Sequence, residues 1–174
     1  MFSIDSLRFD EAYKILDTSF PTDELKTYPR LLSDFIFGGM KIFALGDEDS
    51  LFAVLTLWEF KDFAFVENFA VRKDLRNSGL GTKLIEDVIA HFPHKNILLE
   101  VEVPETDIQK RRVKFYEAKG FTLSSVTYIQ PQLRDTPSNV KLSLMFTGDS
   151  LENEQLLNFK EQVFERVYGL KEIE

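Results

Sequence analysis

The stretch Arg76-Asn77-Ser78-Gly79-Leu80-Gly81-Thr82 constrains this chain more than any other. It directly follows an apolar, strand-like run from Phe63 to Val71, and it opens a helix-like run from Leu80 to Ala90. Any fold must carry this strand, turn and helix as one unit. A strand that turns through glycines into a helix start is a device for holding phosphate. The first helical turn has free N–H groups and the positive end of the helix dipole. Glycine lets an anion approach the backbone closely. The turn therefore points to a phosphate-bearing ligand, a nucleotide-like cofactor.

Spacing narrows the class of loop. A Walker loop needs Gly, four spacers, then Gly-Lys-Ser/Thr. Here Thr82-Lys83 follows Gly81 in the opposite order, with no glycine five residues upstream. A dinucleotide fingerprint needs a third glycine, and Leu84 occupies that place. What remains is Arg76-x-x-Gly79-x-Gly81 preceded by Phe69-Ala70-Val71. A second block, Phe115-Tyr116-Glu117-Ala118-Lys119-Gly120-Phe121, comes downstream, beyond another apolar run from Ile97 to Val103. The first block resembles motif A of the GNAT superfamily, the acyl-CoA-dependent N-acetyltransferases. The second resembles the Phe-Tyr-x-x-x-Gly-Phe signature that ends the last core helix of those proteins. The resemblance covers residues 1 to about 147 and is specific for the superfamily, not for a substrate. It implies an α/β (α+β) fold. This is a single GNAT-type domain with a central mixed, mostly antiparallel sheet of about seven strands and helices on both faces.

The periodicity along the chain reads in the same order. Phe2 to Leu7 is a predicted strand, Phe9 to Phe20 a helix, and Glu24 to Phe37 a second helix kinked near Pro29 and ended by Gly38-Gly39. Lys41 to Leu45 and Leu51 to Phe60 form a predicted hairpin, followed by the strand Phe63 to Val71. Helix Gly79 to His91, strand Asn96 to Val103, helix Asp107 to Lys119, and strands Phe121 to Gln130 and Val140 to Phe146 complete the core. Asp149 or Ser150 caps a last helix to about Tyr168, with Leu156, Phe159, Val163, Val167 and Leu170 on one face. The predicted division is a domain over 1–147 and a helical extension over 148–174, packed on the same domain or used as a dimer contact. The segment from Pro131 to Asn139, rich in Pro, Asp, Ser and Asn, is the expected flexible loop.

Composition sets the outer bounds. A chain of 174 residues is the usual size of one domain, and 17 phenylalanines supply aromatic core. There is no cysteine, hence no disulfide, thiolate nucleophile or Cys-based metal site. No membrane span or signal peptide is legible, so a cytoplasmic location is expected. The net charge of −8 argues against nucleic acid as a partner. Two basic stretches, 72–83 at +3 and 110–119 at +4, stand out in this acidic chain. Both coincide with the two motif blocks, and short solvated helix faces would give the same pattern.

Acetyl transfer to an amine defines which side chains to seek. An alkylamine with a pKa of ~10.4 is roughly one part in a thousand neutral at pH 7, so a base is useful. Glu67 is the only acid between Phe63 and Val71. Strand alternation aims it with Phe65 and Phe69, an apolar setting that raises a carboxyl pKa. The resemblance implies that Glu67 is the base and that Tyr116 protonates the coenzyme A thiolate. It also implies pantetheine contacts along Phe69, Ala70 and Val71. Pyrophosphate contacts would come from Arg76, Asn77, Ser78, Gly79, Leu80, Gly81 and Thr82, chiefly through main-chain N–H groups. A Cβ at Gly79 or Gly81 would crowd the phosphate. The oxyanion donor is expected at a β-bulge near Asn68 to Val71. Gln109 stands where many members have Asn, and Arg112 where many have Ala; both are candidate cofactor contacts.

Glu100 and Glu102 lie on the strand that splays from the Glu67 strand in the family, where three acids could attract a cationic amine. Trp58 is either a pocket wall or core. His91 and His94 have no acid pair or cysteine nearby, so no metal is assigned. The expected activity is transfer from acetyl-CoA, as cosubstrate, to a primary amine by direct attack in a ternary complex. The acceptor is a small-molecule or peptide amine, and the state a monomer or homodimer. The alternative is a non-catalytic acyl-CoA-binding sensor, which needs neither Glu67 nor Tyr116.

Overall fold

The computed structural model describes residues 1–134, 139–148, 151 and 153–170, the side chains of 153–155 excepted. Seven strands form one sheet: β1 (Phe2–Ser3), β2 (Met40–Gly46), β3 (Leu51–Glu59), β4 (Phe63–Val71), β5 (Asn96–Glu102), β6 (Phe121–Ile129) and β7 (Lys141–Thr147). Their order is β1-β2-β3-β4-β5-β7-β6. Every neighbouring pair is antiparallel except β4 with β5, which a helical crossover joins in parallel. The crossover is α3 (Leu80–His91), the helix that the glycine turn opens.

Strand alternation feeds two cores. Val54 and Trp58 of β3 pack on one face with Phe9 and Leu16 of α1 (Phe9–Asp17), Leu31 of α2 (Tyr28–Ser33), and Phe159 and Val163 of α5 (Asn153–Arg166). Leu55 and Leu57 pack on the other face with Leu84 and Val88 of α3 and Val113 and Tyr116 of α4 (Asp107–Glu117). The mixed, mostly antiparallel sheet with helices on both faces is therefore present, and α5 joins the first core through Phe159, Val163 and Val167. Among the described residues no helix is long and apolar enough to cross a membrane.

Three local expectations are corrected. The first strand is only Phe2–Ser3, because Asp5 accepts a hydrogen bond from the Leu7 N–H and turns the chain at 6–8. The helix expected over 24–37 is broken into a short turn at 22–24, α2, and a π-helical turn over Asp34–Gly38. Pro29 sits in the first turn of α2 rather than kinking it, and Leu25 and Thr27, ahead of that helix, are extended. That break turns Lys26 inward, to 1% exposure. The third correction lies in β4. Leu57 pairs with Val66 and Thr56 with Asn68, so Glu67 is an extra, bulged residue. Phe65 consequently lies on the α1 and α5 face, and Phe69 on the α3 and α4 face. Glu67 cannot point with both, and the bulge sits just before the segment where it was expected. The caps expected at Asp149 and Ser150, and residues 135–138 of the loop expected to be flexible, lie outside the described residues.

Candidate active site

The bulge and the crossover together open a cleft. β4 and β5 are paired only where Phe63–Val66 faces Asn96–Leu99. Beyond that point the strands part, and a cleft of about 1040 Å³ fills the gap. The Arg72 N–H donates to the Phe52 carbonyl of β3. Alternation along a strand then turns the amides of Phe69 and Val71 away from β3, toward the side that β5 has left. A ligand lying there would meet a free strand edge.

The fourteen residues singled out from the sequence all line this cleft: Glu67, Phe69, Ala70, Val71, Arg76, Asn77, Ser78, Gly79, Leu80, Gly81, Thr82, Gln109, Arg112 and Tyr116. At its mouth the turn has two left-handed residues, Asn77 at φ 64° and Gly79 at φ 84°. Gly79 is the N-cap of α3, and no side chain caps it. The first bond of the helix runs from the Lys83 N–H to the Gly79 carbonyl, so the amides of Leu80, Gly81 and Thr82 have no partner among the described residues. The two glycines serve different needs. A Cβ on Gly79 would meet nothing within 4 Å, so its positive φ is what requires glycine. A Cβ on Gly81 would come within 3.3 Å of Phe69 and 3.4 Å of Val71, so this glycine lets α3 approach β4.

The start of α4 is the opposite case. Thr106 and Gln109 form a complete capping box, with Gln109 Oε1 accepting from the Thr106 N–H at 2.8 Å and Thr106 Oγ1 accepting from the Gln109 N–H at 3.3 Å. Gln109 Nε2 also donates to Glu102. Arg112 pairs with Glu102 at 2.6 Å. Both side chains border the cleft with their polar groups already engaged. Tyr116 is 8% exposed, its ring among Phe69, Phe115 and Phe121. Burial pushes its hydroxyl up to about 12, with Arg112 opposing, so it stays protonated at neutral pH. Among the described residues that hydroxyl has no hydrogen-bond partner.

The inner end of the cleft is acidic. Glu24, Glu67, Glu100 and Glu102 all line it, and a smaller pocket of about 70 Å³ continues inward from the same four residues. Glu67 is surrounded by polar partners rather than phenylalanines. One oxygen pairs with Lys26 at 2.9 Å, and the other accepts from Trp58 Nε1 at 2.7 Å. Lys26 also pairs with Asp34 at 2.6 Å and lies over the Trp58 ring. Burial raises the Asp34 carboxyl, and Lys26 opposes that rise. Trp58 is core, 1% exposed, and lines neither pocket. Glu100 accepts from the hydroxyls of Tyr128, at 2.5 Å, and Tyr168. Burial pushes Glu100 up to about 7 against those two bonds.

Sequence reasoning did not find Lys26, Asp34, Tyr128 or Tyr168. Tyr168 lines the inner pocket; Lys26 and Tyr128 stand behind it, bonded to Glu67 and Glu100 from far along the chain, and Asp34 is bonded to Lys26. His91 and His94 are exposed, and among the described residues no cluster of His, Asp or Glu is arranged for a metal.

The Acetyltransferase (GNAT) family profile matches residues 9–121. A curated Bacillus subtilis (strain 168) protein, "Putative acetyltransferase YjbC", is 33% identical over 123 residues. The match takes in 68% of this chain and 62% of that relative, so the chain spans less than two thirds of it. A solved chain from Bacteroides thetaiotaomicron, described as a "Putative acetyltransferase from GNAT family", superposes with a TM-score of 0.87. It is 29% identical and covers 98% of both chains. A GNAT family acetyltransferase from Elizabethkingia anophelis with acetyl-CoA bound shares the fold alone. Its TM-score is 0.57 and its identity 15%, over 79% of this chain and 90% of that one.

Proposed function

This chain belongs to the GNAT acetyltransferase family, and from that premise we propose that it moves an acetyl group from acetyl-CoA to a primary amine by direct attack in a ternary complex. The observation that carries this reading is the uncapped, glycine-turned start of α3 at the mouth of the cleft. Three unpartnered amides beside a positive dipole end suit a diphosphate. The free edge of β4 at Phe69 and Val71 suits the amide-bearing pantetheine arm, which would pair with it like an added strand. A neighbour of the same fold holds acetyl-CoA. Arg76, Asn77 and Ser78 border the phosphates. Gln109 and Arg112 border the arm while their polar groups stay engaged with α4 and Glu102.

The amine nitrogen attacks the thioester carbon, whose oxygen takes up negative charge. A main-chain N–H at the β4 bulge is suited to receive that charge. The C–S bond breaks, and Tyr116 gives its proton to the departing thiolate. A phenol at about 12 is a poor acid toward an ordinary thiol. A thiolate forming in the same buried wall has its own proton affinity raised by desolvation. The acidic inner end, with Glu67 and Glu100, favours a cationic amine as the acceptor.

The test separates cosubstrate binding from turnover. Acetyl-CoA titrated calorimetrically into the protein gives binding heat, and Gly79→Val weakens binding at least about 10-fold, because a left-handed valine is strained. A panel of primary amines with acetyl-CoA releases free thiol if the chain is an enzyme. Binding without thiol release across the panel favours the acyl-CoA sensor. No binding of acetyl-CoA or CoA sinks both readings.

A further inference from the structure

We propose that Glu100 is the proton acceptor of acetyl transfer in this chain, and that Tyr168, just past α5, is a positioning residue that holds its carboxylate together with Tyr128 of β6. The proposal rests on the acetyl-transfer reading above. It begins from how the carboxylates of the inner cleft are partnered. Glu67 is neutralised by Lys26, and its second oxygen is bonded by Trp58. Glu102 is neutralised by Arg112 and bonded by Gln109. Glu100 makes no ion pair among the described residues; its two side-chain partners are phenols. Neutral donors orient a carboxylate and lower its affinity for a proton, but without the charge cancellation of an ion pair.

The phenols are themselves held. Phe164 of α5 packs edge-on to Tyr128 at 5.5 Å and to Tyr168 at 5.7 Å. Tyr168 is 6% exposed, and its backbone carbonyl accepts from Arg30 Nη2 at 2.6 Å. Glu100 lies where the main cleft meets the inner pocket, and Tyr168 lines that inner pocket beside it. Tyr128, Phe164 and Tyr168 all fall beyond the segment 9–121 that matches the family. The clamp is thus built by this chain's own later elements.

The charged and titratable groups facing Glu100 are Glu67 on β4, Lys26 ahead of α2, Tyr128 on β6 and Tyr168 past α5. Burial is the largest influence, and with Glu67 it outweighs the two phenols and Lys26, which brings the carboxyl to about 7. A base there is poised for neutral pH. A neutral amine gives one N–H proton to Glu100 as its C–N bond forms. The C–S bond breaks, and the thiolate takes the Tyr116 proton. Glu100 then loses its proton to solvent through the cleft, and Tyr116 regains one.

Two measurements on the full chain test this. The first follows the glutamate carboxyls by 13C NMR against pH, with Glu100→Gln identifying the resonance. The Glu100 carboxyl is expected to titrate near about 7. Tyr168→Phe should move it higher by at least ~0.5 pH unit, because a donor to the charged form is lost. A carboxyl that titrates near 4.5, or that Tyr168→Phe leaves in place, overturns the proposal. If Tyr168→Phe does not fold, Tyr128→Phe takes the same measurement. The second is turnover of acetyl-CoA with 1,4-diaminobutane, a dication suited to an acidic site. Glu100→Gln should lower kcat by about 10²-fold or more with acetyl-CoA affinity unchanged. Tyr168→Phe should shift the acid limb of kcat/KM upward in step with the NMR midpoint. Glu100→Gln at wild-type kcat overturns the proposal. Where the diamine is not an acceptor, the carboxyl titration decides. A wild-type protein that binds no acetyl-CoA instead sinks the reading on which the proposal rests.

Discussion

Lys26 shows most sharply how one side chain can organise a site it does not enter. It is enclosed by protein, bonded to Asp34 and Glu67, and stacked on Trp58. An ion cluster of this kind need not add net stability, because desolvation offsets much of the attraction. Removing Lys26 is different, since the carboxylates of Asp34 and Glu67 would then lose the cation bonded to both. Lys26→Ala is expected to cost about 3–5 kcal/mol, read as a lowered urea midpoint. A loss below ~1 kcal/mol would mean that water reaches the cluster freely. The fit of each residue to the site was unevenly legible. Gly79 could be found because its need is local, a left-handed turn into a helix. Lys26 could not, because a lysine between Leu25 and Thr27 reads as surface until the chain folds over it.

At the scale of elements, the bulge in β4 decides which face Phe69, Val71 and Glu67 present. It is closed by one side chain: Thr56 Oγ1 accepts from the Asn68 N–H at 2.9 Å and bonds the Asn68 side chain, wholly out of solvent. Thr56→Val keeps the shape and removes the acceptor. The expected loss is about 1–3 kcal/mol by chemical denaturation. A variant as stable as the parent would show that the strand re-registers. The order of elements was readable because each long apolar run has its own period and stop signals, as with α3 between Gly79 and Pro93. The bulge was not, because inserting one residue leaves the composition of a strand unchanged. The helix expected over 24–37 failed for a related reason. Its apolar spacing suits a helix, but Pro29 sits in the first turn of α2 and the residues ahead of that helix are extended, which a reading of apolar spacing alone does not show.

For the whole molecule, carboxyl groups pull stability in opposite directions with pH. Hydrogen bonds from Lys41 and Lys95 lower Glu59 from 4.5 to about 2. Its contribution is fully present above about 4.5 and lost as pH falls through 2. Glu100 is raised from 4.5 to about 7, so the folded state prefers it protonated. That contribution is present below about 4.5 and lost as pH rises through 7. Burial of Glu24 and Asp34 acts in the same sense as Glu100. Unfolding free energies from urea titrations should therefore peak on the acid side of neutrality and decline toward pH 8, with Glu100→Gln flattening the decline. A steady rise from pH 5 to 8 would contradict this.

The two helices on one face of the sheet also begin differently. α4 closes its own opening turn with a capping box, whereas no side chain caps α3. In deuterium oxide the amides of Gly81 and Thr82 should exchange faster than that of Gln109, and acetyl-CoA should slow them. The coenzyme would then act as the missing end-piece of a helix, and the free protein would breathe at the place where its cosubstrate docks.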